Sequence, residues 1–298
     1  MSTADVTSAR YSWGADEHLF VEMAEAMSLE AYFRSMAVVT ALRKRRPEGV
    51  IDICPANASY QVRFDPDTLA PDRLEGLLRE IEAEVGDAHD FEFETRIVAI
   101  PVLYNDPWTH ETLMRFRDRH QDPEATDLEY AARINGFDDA QGFIDAHSSA
   151  PWMASMVGFV AGLPFLYQMV SRERQLEVPK YVRPRTDTPA LTVGHGGCFG
   201  CIYSVQGAGG YQMFGITPVP IYDPRQELPD FKDFVCFFEP GDIVKFEPID
   251  RERYDELRDE AESGRISIRQ KAVTFNLEEF TADPDAYNER LLDVLHAD

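Results

Sequence analysis

The 298-residue chain is 44% hydrophobic and 28% charged, the balance of an ordinary soluble globular protein, which excludes global disorder, collagen and coiled coil. Twenty-nine Lys and Arg against 53 Asp and Glu leave a net charge of −24, and so acidic a surface repels phosphates and anionic lipids, arguing against nucleic-acid and membrane partners. The length suggests two domains, and no run approaches the roughly 18 apolar residues that span a bilayer.

The opening MSTADVTSAR has no basic start followed by an apolar run, so a cytoplasmic protein is expected, with Cys54, Cys198, Cys201 and Cys236 as reduced thiols. His18–Met23 reads as a strand. Leu29, Phe33, Met36, Ala37 and Thr40 fall at helical spacing behind Ser28, a candidate N-cap, and Arg43–Arg46 with Pro47 end that helix. Val50–Cys54 and Ser59–Phe64 read as strands around a turn at Pro55–Asn57. Pro71 opens a helix whose Leu74, Leu77, Leu78, Ile81 and Val85 share one face. A last alternating strand runs from Phe91 to Val102. This βαββαβ order predicts a ferredoxin-like α+β domain over 15–103. A charged connector with helices at Leu128–Ile134 and Ala140–Ala146 occupies 104–149. Short apolar runs broken by Gly and Pro then predict a β-barrel or sandwich over 150–250. The extension 251–298 reads as a charged helix (Glu252–Ser263), a strand-like stretch (Ile266–Phe275) and a final helix carrying Leu291, Leu292 and Leu295.

Four features carry candidate chemistry. Cys198-Phe-Gly-Cys201 has CxxC spacing but lacks a second ligand pair, so two ordinary thiols are favoured over a metal site. Gly194–Gly210 holds seven glycines without the P-loop Lys, which favours tight turns over phosphate binding. Lys180, Arg183 and Arg185, bracketed by Pro179, Pro184 and Pro189, form a basic island in an acidic chain; Arg can grip a carboxylate bidentately, or the island can simply pair with its acidic surroundings. His147, at a helix end, is a candidate acid or base, whereas His110 and His120 are expected to be solvated.

From the βαββαβ pattern to Ile249 the chain resembles the family of the B component of prokaryotic 5-oxoprolinase and the C-D half of the urea carboxylase carboxyltransferase domain, which also includes a sporulation-kinase inhibitor. The family's Tyr-Gly-Gly is matched by Tyr104, with Asn105 and Asp106 for the glycines, and a helix-ending His by His147. G-F-x-P-G-F is matched by Gly158, Phe159 and Gly162, and P-R-x-x-x-P-R by Pro179, Lys180, Pro184 and Arg185. In A-G-G-Q-T-G-I-Y-P, Gly197, Ile202 and Tyr203 are kept and Phe199 replaces Gln. S-P-G-G-W becomes Gly207 to Tyr211, Ile216 replaces the Arg of G-R-T-P, and P-G-D-x-V-x-F is intact at Pro240, Gly241, Asp242, Val244 and Phe246.

The resemblance implies a cyclophilin-like β-barrel behind the ferredoxin-like domain, followed by a C-terminal helical extension. It implies one subunit of a heteromeric enzyme, packed against an A-B-type partner, whose joint cleft handles a small amide or lactam. The reaction is either ATP-dependent ring opening of the 5-oxoprolinase type or biotin-dependent carboxyl transfer. The implied catalytic residues are His147 and Arg185. Tyr104, Gly158, Phe159, Lys180, Arg183, Phe199, Tyr203, Gly209 and Gly210 are the implied substrate contacts. No metal is expected, and ATP or carboxybiotin is expected from partner subunits, either a biotin carboxylase with its carrier or a lactam-utilisation-type protein. Phe199 and Ile216, apolar where relatives are polar, imply an altered, less polar substrate. The alternatives are a regulator that binds and inhibits a histidine kinase, and a non-catalytic structural half.

Overall fold

The computed structural model describes residues 9–86, 88 and 91–297. The first eight residues, on which the expectation about a leader rests, lie outside them. Two compact units emerge: the residues through Phe93 with Phe275–Ala282, and Glu94–Thr274 with the segment from Asp283 onward.

The first unit contains β1 (Arg10–Gly14), β2 (His18–Glu22), α1 (Leu29–Arg45), β3 (Val50–Ala56), β4 (Ser59–Phe64) and α2 (Pro71–Val85). Ser28 caps α1 as its position predicts, its hydroxyl accepting the Ala31 N–H at 3.1 Å, and the helix ends where Arg46 turns left-handed at φ 47°. The sheet runs in the order β1-β2-β4-β3. Its core joins Leu19, Val21, Tyr60, Val62 and Phe64 to Val38 and Leu42 of α1 and Leu74, Leu78 and Ile81 of α2. Phe275 belongs here because its ring stacks on Phe33 at 4.6 Å.

The ferredoxin-like expectation needs the strand after α2 inside this sheet, beside β2. That edge is taken instead by β1, whose hairpin with β2 pairs Arg10 with Glu22 through Gly14 with His18. The strand in question, β5 (Glu92–Tyr104), leaves the first unit at Phe93 and enters the second, so the expected boundary at 103 moves. The physical reason lies in its sequence. Ile97 to Ile100 are all buried, a run covered on both faces rather than the alternation of a half-exposed edge.

The second unit is a closed barrel with helices against it. After β5 come α3 (Pro107–Phe116), α4 (Asp127–Ile134) and α5 (Ala140–Ser149). The strands that follow are β6 (Trp152–Val157), β7 (Pro164–Gln168), β8 (Arg185–Thr188), β9 (Thr192–Gly196), β10 (Phe199–Ile202), β11 (Gly207–Gly209), β12 (Gln212–Ile216) and β13 (Ile243–Pro248). The tail supplies α6 (Arg251–Glu262), β14 (Gln270–Asn276), α7 (Leu277–Ala282, in the first unit) and α8 (Pro284–His296). The barrel order is β12-β9-β10-β7-β6-β13-β5, and β12 pairs back onto β5, which abolishes the free edges at that seam; β14 flanks β5. The tail is therefore no separate extension: β14 joins the sheet, and Ile266 and Ile268 enter the barrel core with Val98, Trp152, Val193 and Phe246.

Two details explain sequence motifs as structure. In the Pro-Gly-Asp segment, where the Glu239 N–H also closes locally on Asp242 Oδ2 at 2.9 Å, Asp242 is 5% exposed and grips Arg96 with both oxygens at 2.9 and 2.8 Å, while Arg96 also donates to Gln270 at 2.7 Å. That motif is a staple between β5, β13 and β14. At the seam, Gly215 faces Tyr104, and a Cβ there would stand 2.6 Å from the Leu103 carbonyl oxygen. Gly215→Ala is expected to lower stability by about 2 kcal/mol, as overpacking against backbone does. The urea midpoint reads this; an unchanged midpoint would contradict the close approach.

Candidate functional site

The segment between β7 and β8 is laid across the barrel by backbone pairing. Val178 and Gly197 exchange hydrogen bonds at 2.9 and 2.7 Å, and the Tyr181 N–H donates to the Gly210 carbonyl at 2.7 Å. Pro179 and Pro184 lack an N–H and hold the strap extended. The strap delivers Arg185 to the start of β8, opposite Gly209 of β11.

Arg185 is fully buried. Its Nε donates to Thr188 Oγ1 at 3.2 Å and its guanidinium lies 4.3 Å above the Tyr181 ring. The Tyr181 and Tyr203 hydroxyl oxygens lie near enough to feel its charge as neutral acceptors, but among the described residues no carboxylate bonds Nη1 or Nη2. A buried guanidinium is costly unless something anionic meets it. The balancing charge in the structure is Asp127, 3% exposed, at the first turn of α4. It accepts the Tyr181 O–H at 2.7 Å and the Met213 N–H at 2.6 Å, with His120 Nε2 at 3.4 Å. Burial pushes its carboxyl up, while those hydrogen bonds and the Arg185 charge oppose the shift.

His120, expected to be solvated, is 3% exposed. Its Nε2 donates to Gln212 Oε1 at 2.8 Å, since an amide oxygen only accepts, and its Nδ1 lies 2.7 Å from the Asp122 carbonyl oxygen and 2.9 Å from the Asp122 nitrogen. Gln212 in turn donates to the Pro179 carbonyl at 2.8 Å, tying strap, connector and barrel together.

Around this centre the tyrosines fold over glycines. The Tyr211 N–H donates to the Tyr203 hydroxyl at 3.3 Å, and a Cβ on Gly209 would collide with that hydroxyl at 2.5 Å. Tyr203, Tyr211, Cys201 and Leu163 form one buried cluster, with Val160, Phe165 and Phe199 half-buried against it. Lys180 lies on the outer side, its ammonium 5.1 Å from the Tyr211 ring centre. Burial pushes the Cys201 thiol well above the ordinary range, so CxxC spacing here does not make a thiolate pair.

The implied site residues thus separate into groups. Arg185, Tyr203, Gly209, Gly210 and Lys180 come together, and Phe199 joins through the apolar cluster. The loop of Gly158 and Phe159 is tied to the same region by Ser204, whose hydroxyl donates to the Ala161 carbonyl at 2.5 Å, though Phe159 itself is 71% exposed at φ 70°. Arg183 points away and pairs with Asp118 at 3.2 Å, both exposed. His147 and Tyr104 form a second station. His147 is fully buried in the barrel, its ring stacked on Phe246 at 5.1 Å and its Nδ1 2.9 Å from the Tyr104 hydroxyl. Its Nε2 has no partner, and burial, with His195 and Lys245 nearby, holds its pKa well below the ordinary histidine value. That keeps it neutral at pH 7. Tyr104 also lines a cleft of about 300 Å³ with Asn105, Gln141, Ile144 and Ile249, whose walls carry no charged side chain. Asn105 adopts φ 54°, a conformation Asn tolerates better than most residues, and Asp106 caps α3 by accepting the Trp108 and Thr109 N–H groups at 2.9 Å.

Sequence reading missed Asp127, Tyr181, His120 and Gln212. Tyr181 sits inside the basic island and could have been suspected there; Asp127 reads as one more acid in a helix first turn.

Residues 9–231 match the carboxyltransferase domain, subdomain C and D. The chain belongs to this family. Among C-D family relatives, the B component of 5-oxoprolinase from Bacillus subtilis is 29% identical over 222 residues, covering 72% of this chain and 81% of that one. Urea amidolyase of Saccharomyces cerevisiae is 25% identical over 275 residues, 91% of this chain but 15% of the yeast protein. The crystal structure of Kluyveromyces lactis urea carboxylase superposes with a TM-score of 0.81 over 97% of this chain and 26% of its own, at 22% identity, which shows a shared fold. Among the described residues no helix is long and apolar enough to cross a membrane.

Proposed function

We propose that this chain is the C-D half of a two-part enzyme acting on a small amide or lactam, completed by an A-B-type half. The observation that carries the reading is Arg185: a buried guanidinium whose Nη1 and Nη2 meet no carboxylate among the described residues, set beside side-chain-free backbone at Gly209 and Gly210, fits a planar carboxylate or developing oxyanion. In this reading Arg185 holds and orients that group and Lys180 adds positive charge at the rim. Tyr104, backed by neutral His147, faces the uncharged cleft that suits the amide. When carboxybiotin is presented by a partner it supplies the activated carboxyl group; Arg185 is the residue on this chain that fits it.

Of the two chemistries, carboxyl transfer is the better supported. The urea amidolyase matches run over 91% and 89% of this chain, against 72% for the B. subtilis oxoprolinase component. The regulator and the non-catalytic half are not favoured, since these relatives are named as enzymes or enzyme subunits. Mild affinity purification from the native cell, with mass spectrometry and a biotin blot, tests the proposal. An A-B-type half with a biotinylated protein, and bicarbonate- and ATP-dependent carboxylation of an amide such as urea, is the expected result. An A-B-type half with ATP-dependent 5-oxoproline opening and no biotin would replace carboxyl transfer by lactam hydrolysis. Recovery of the chain alone or with a kinase would overturn the enzyme reading.

A further inference from the structure

Asp127 and Tyr181 have no place in the chemistry described so far, yet both are buried, at 3% and 4% exposed. Both carboxylate oxygens of Asp127 are engaged: Oδ2 by the Met213 N–H of β12, Oδ1 by the Tyr181 hydroxyl of the strap. The Tyr181 ring then supports the Arg185 guanidinium from below at 4.3 Å, and the same ring meets His120 edge-on at 4.9 Å. An anion and a cation thus stand on either side of one neutral phenol: carboxylate, tyrosine, guanidinium. The Tyr181 O–H is committed to Asp127, so toward Arg185 the tyrosine presents its ring face and a neutral hydroxyl oxygen, and neither is a carboxylate that would hold Nη1 or Nη2 as a bidentate partner does. A counter-ion that bonded Arg185 directly would consume the two donors. One that acts across a tyrosine neutralises the charge and leaves the fork free.

We infer that Asp127, acting through Tyr181, is a positioning residue that holds Arg185 charged, oriented and unconsumed for its anionic ligand. The inference rests on the proposed role of Arg185, and its test separates the two. In the assembled enzyme, assayed with urea or 5-oxoproline as the substrate, Asp127→Asn keeps the shape and the acceptor for Met213 but removes the charge. It is expected to raise KM about tenfold with a smaller change in kcat, the mark of a binding group held less well. In an Arg185→Met background the same substitution is expected to add nothing, because the group it acts through is gone. Tyr181→Phe, which keeps the ring and removes the hydroxyl, is the second variant should Asp127→Asn fold poorly, and it should behave alike. A readout independent of activity is the NMR signal of the Arg185 Nε–H, which donates to Thr188; it is expected to broaden in both variants. Losses that multiply with Arg185→Met, or an undisturbed Nε–H signal, would overturn the inference. Full activity in Arg185→Met together with a broadened Nε–H signal would instead sink the substrate role of Arg185, and with it the ligand part of this inference, while leaving the holding interaction intact.

Discussion

Arg185→Met is expected to lower kcat/KM of the assembled enzyme about 100-fold, the scale of removing one preorganised donor from an oxyanion or carboxylate site. The guanidinium is fully buried, and among the described residues no carboxylate bonds its Nη1 or Nη2, while Nε donates to Thr188. Met fills a similar volume and packs on the Tyr181 ring. The substitution leaves Asp127 without its cation, but that carboxyl is already biased toward its neutral form by burial and can take a proton. Folding should therefore survive, and circular dichroism with a thermal melt checks it. Arg185→Lys restores the charge without the planar fork and is expected to recover less than about a tenth of the lost activity. Wild-type turnover in Arg185→Met, in a complex that retains its partner, would remove Arg185 from the site and leave its burial as a matter of packing alone.

The second large effect is acid lability. His147 and His195 are both fully buried in the barrel, and burial holds both neutral: His195 is lowered to about 4 and His147 well below its ordinary 6.5. In the unfolded chain both take a proton near pH 6.5. Below that value the unfolded state binds more protons than the folded one, so stability falls as pH falls, by about 1.4 kcal/mol per pH unit for each group. About a unit above pH 6.5 and beyond, neither contributes a slope. Between pH 6.5 and 5 His195 alone is thus expected to remove about 1.5 kcal/mol, and His147 adds to the loss in the same direction, before most carboxylates begin to titrate. Urea unfolding at a series of pH values measures it. His147→Phe with His195→Gln should flatten the curve in this window. Equal slopes in the variant and the wild type would show that the two rings take protons without unfolding, and hence that the barrel interior admits water.

Local readings succeeded where the deciding forces are local. The Ser28 cap, Pro71 at a helix start and the alternation at Ser59–Phe64 each act within a few residues, so sequence spacing alone reports them. The family resemblance was legible for a related reason. Its motifs mark turns and close approaches, such as Gly209 under Tyr203, whose steric demands are written in residue type. The β-rich texture after Ser148 was visible in the same way, as turn residues at short intervals.

What the sequence could not carry was partner choice at long range. It showed a strand over Phe91–Val102 but not which sheet would take it, because β1 and β5 compete for the same edge and only the pairing of Ile97–Val102 with Ile243–Pro248 decides. It showed a basic island but not that Arg183 faces solvent while Arg185, two residues on, is enclosed; the course of the strap sends the two in opposite directions, and only the barrel beneath says which is inward. Asp127 was invisible for the same reason, since an acid at a helix start normally meets water, and here the Met213 amide and the Tyr181 hydroxyl arrive from 86 and 54 residues away. Residue order was enough for the family and for most of the elements, though not for β1 or α3. The charges that matter were decided by tertiary structure, because desolvation and pairing depend on what lies across the fold and not on what lies alongside in the chain.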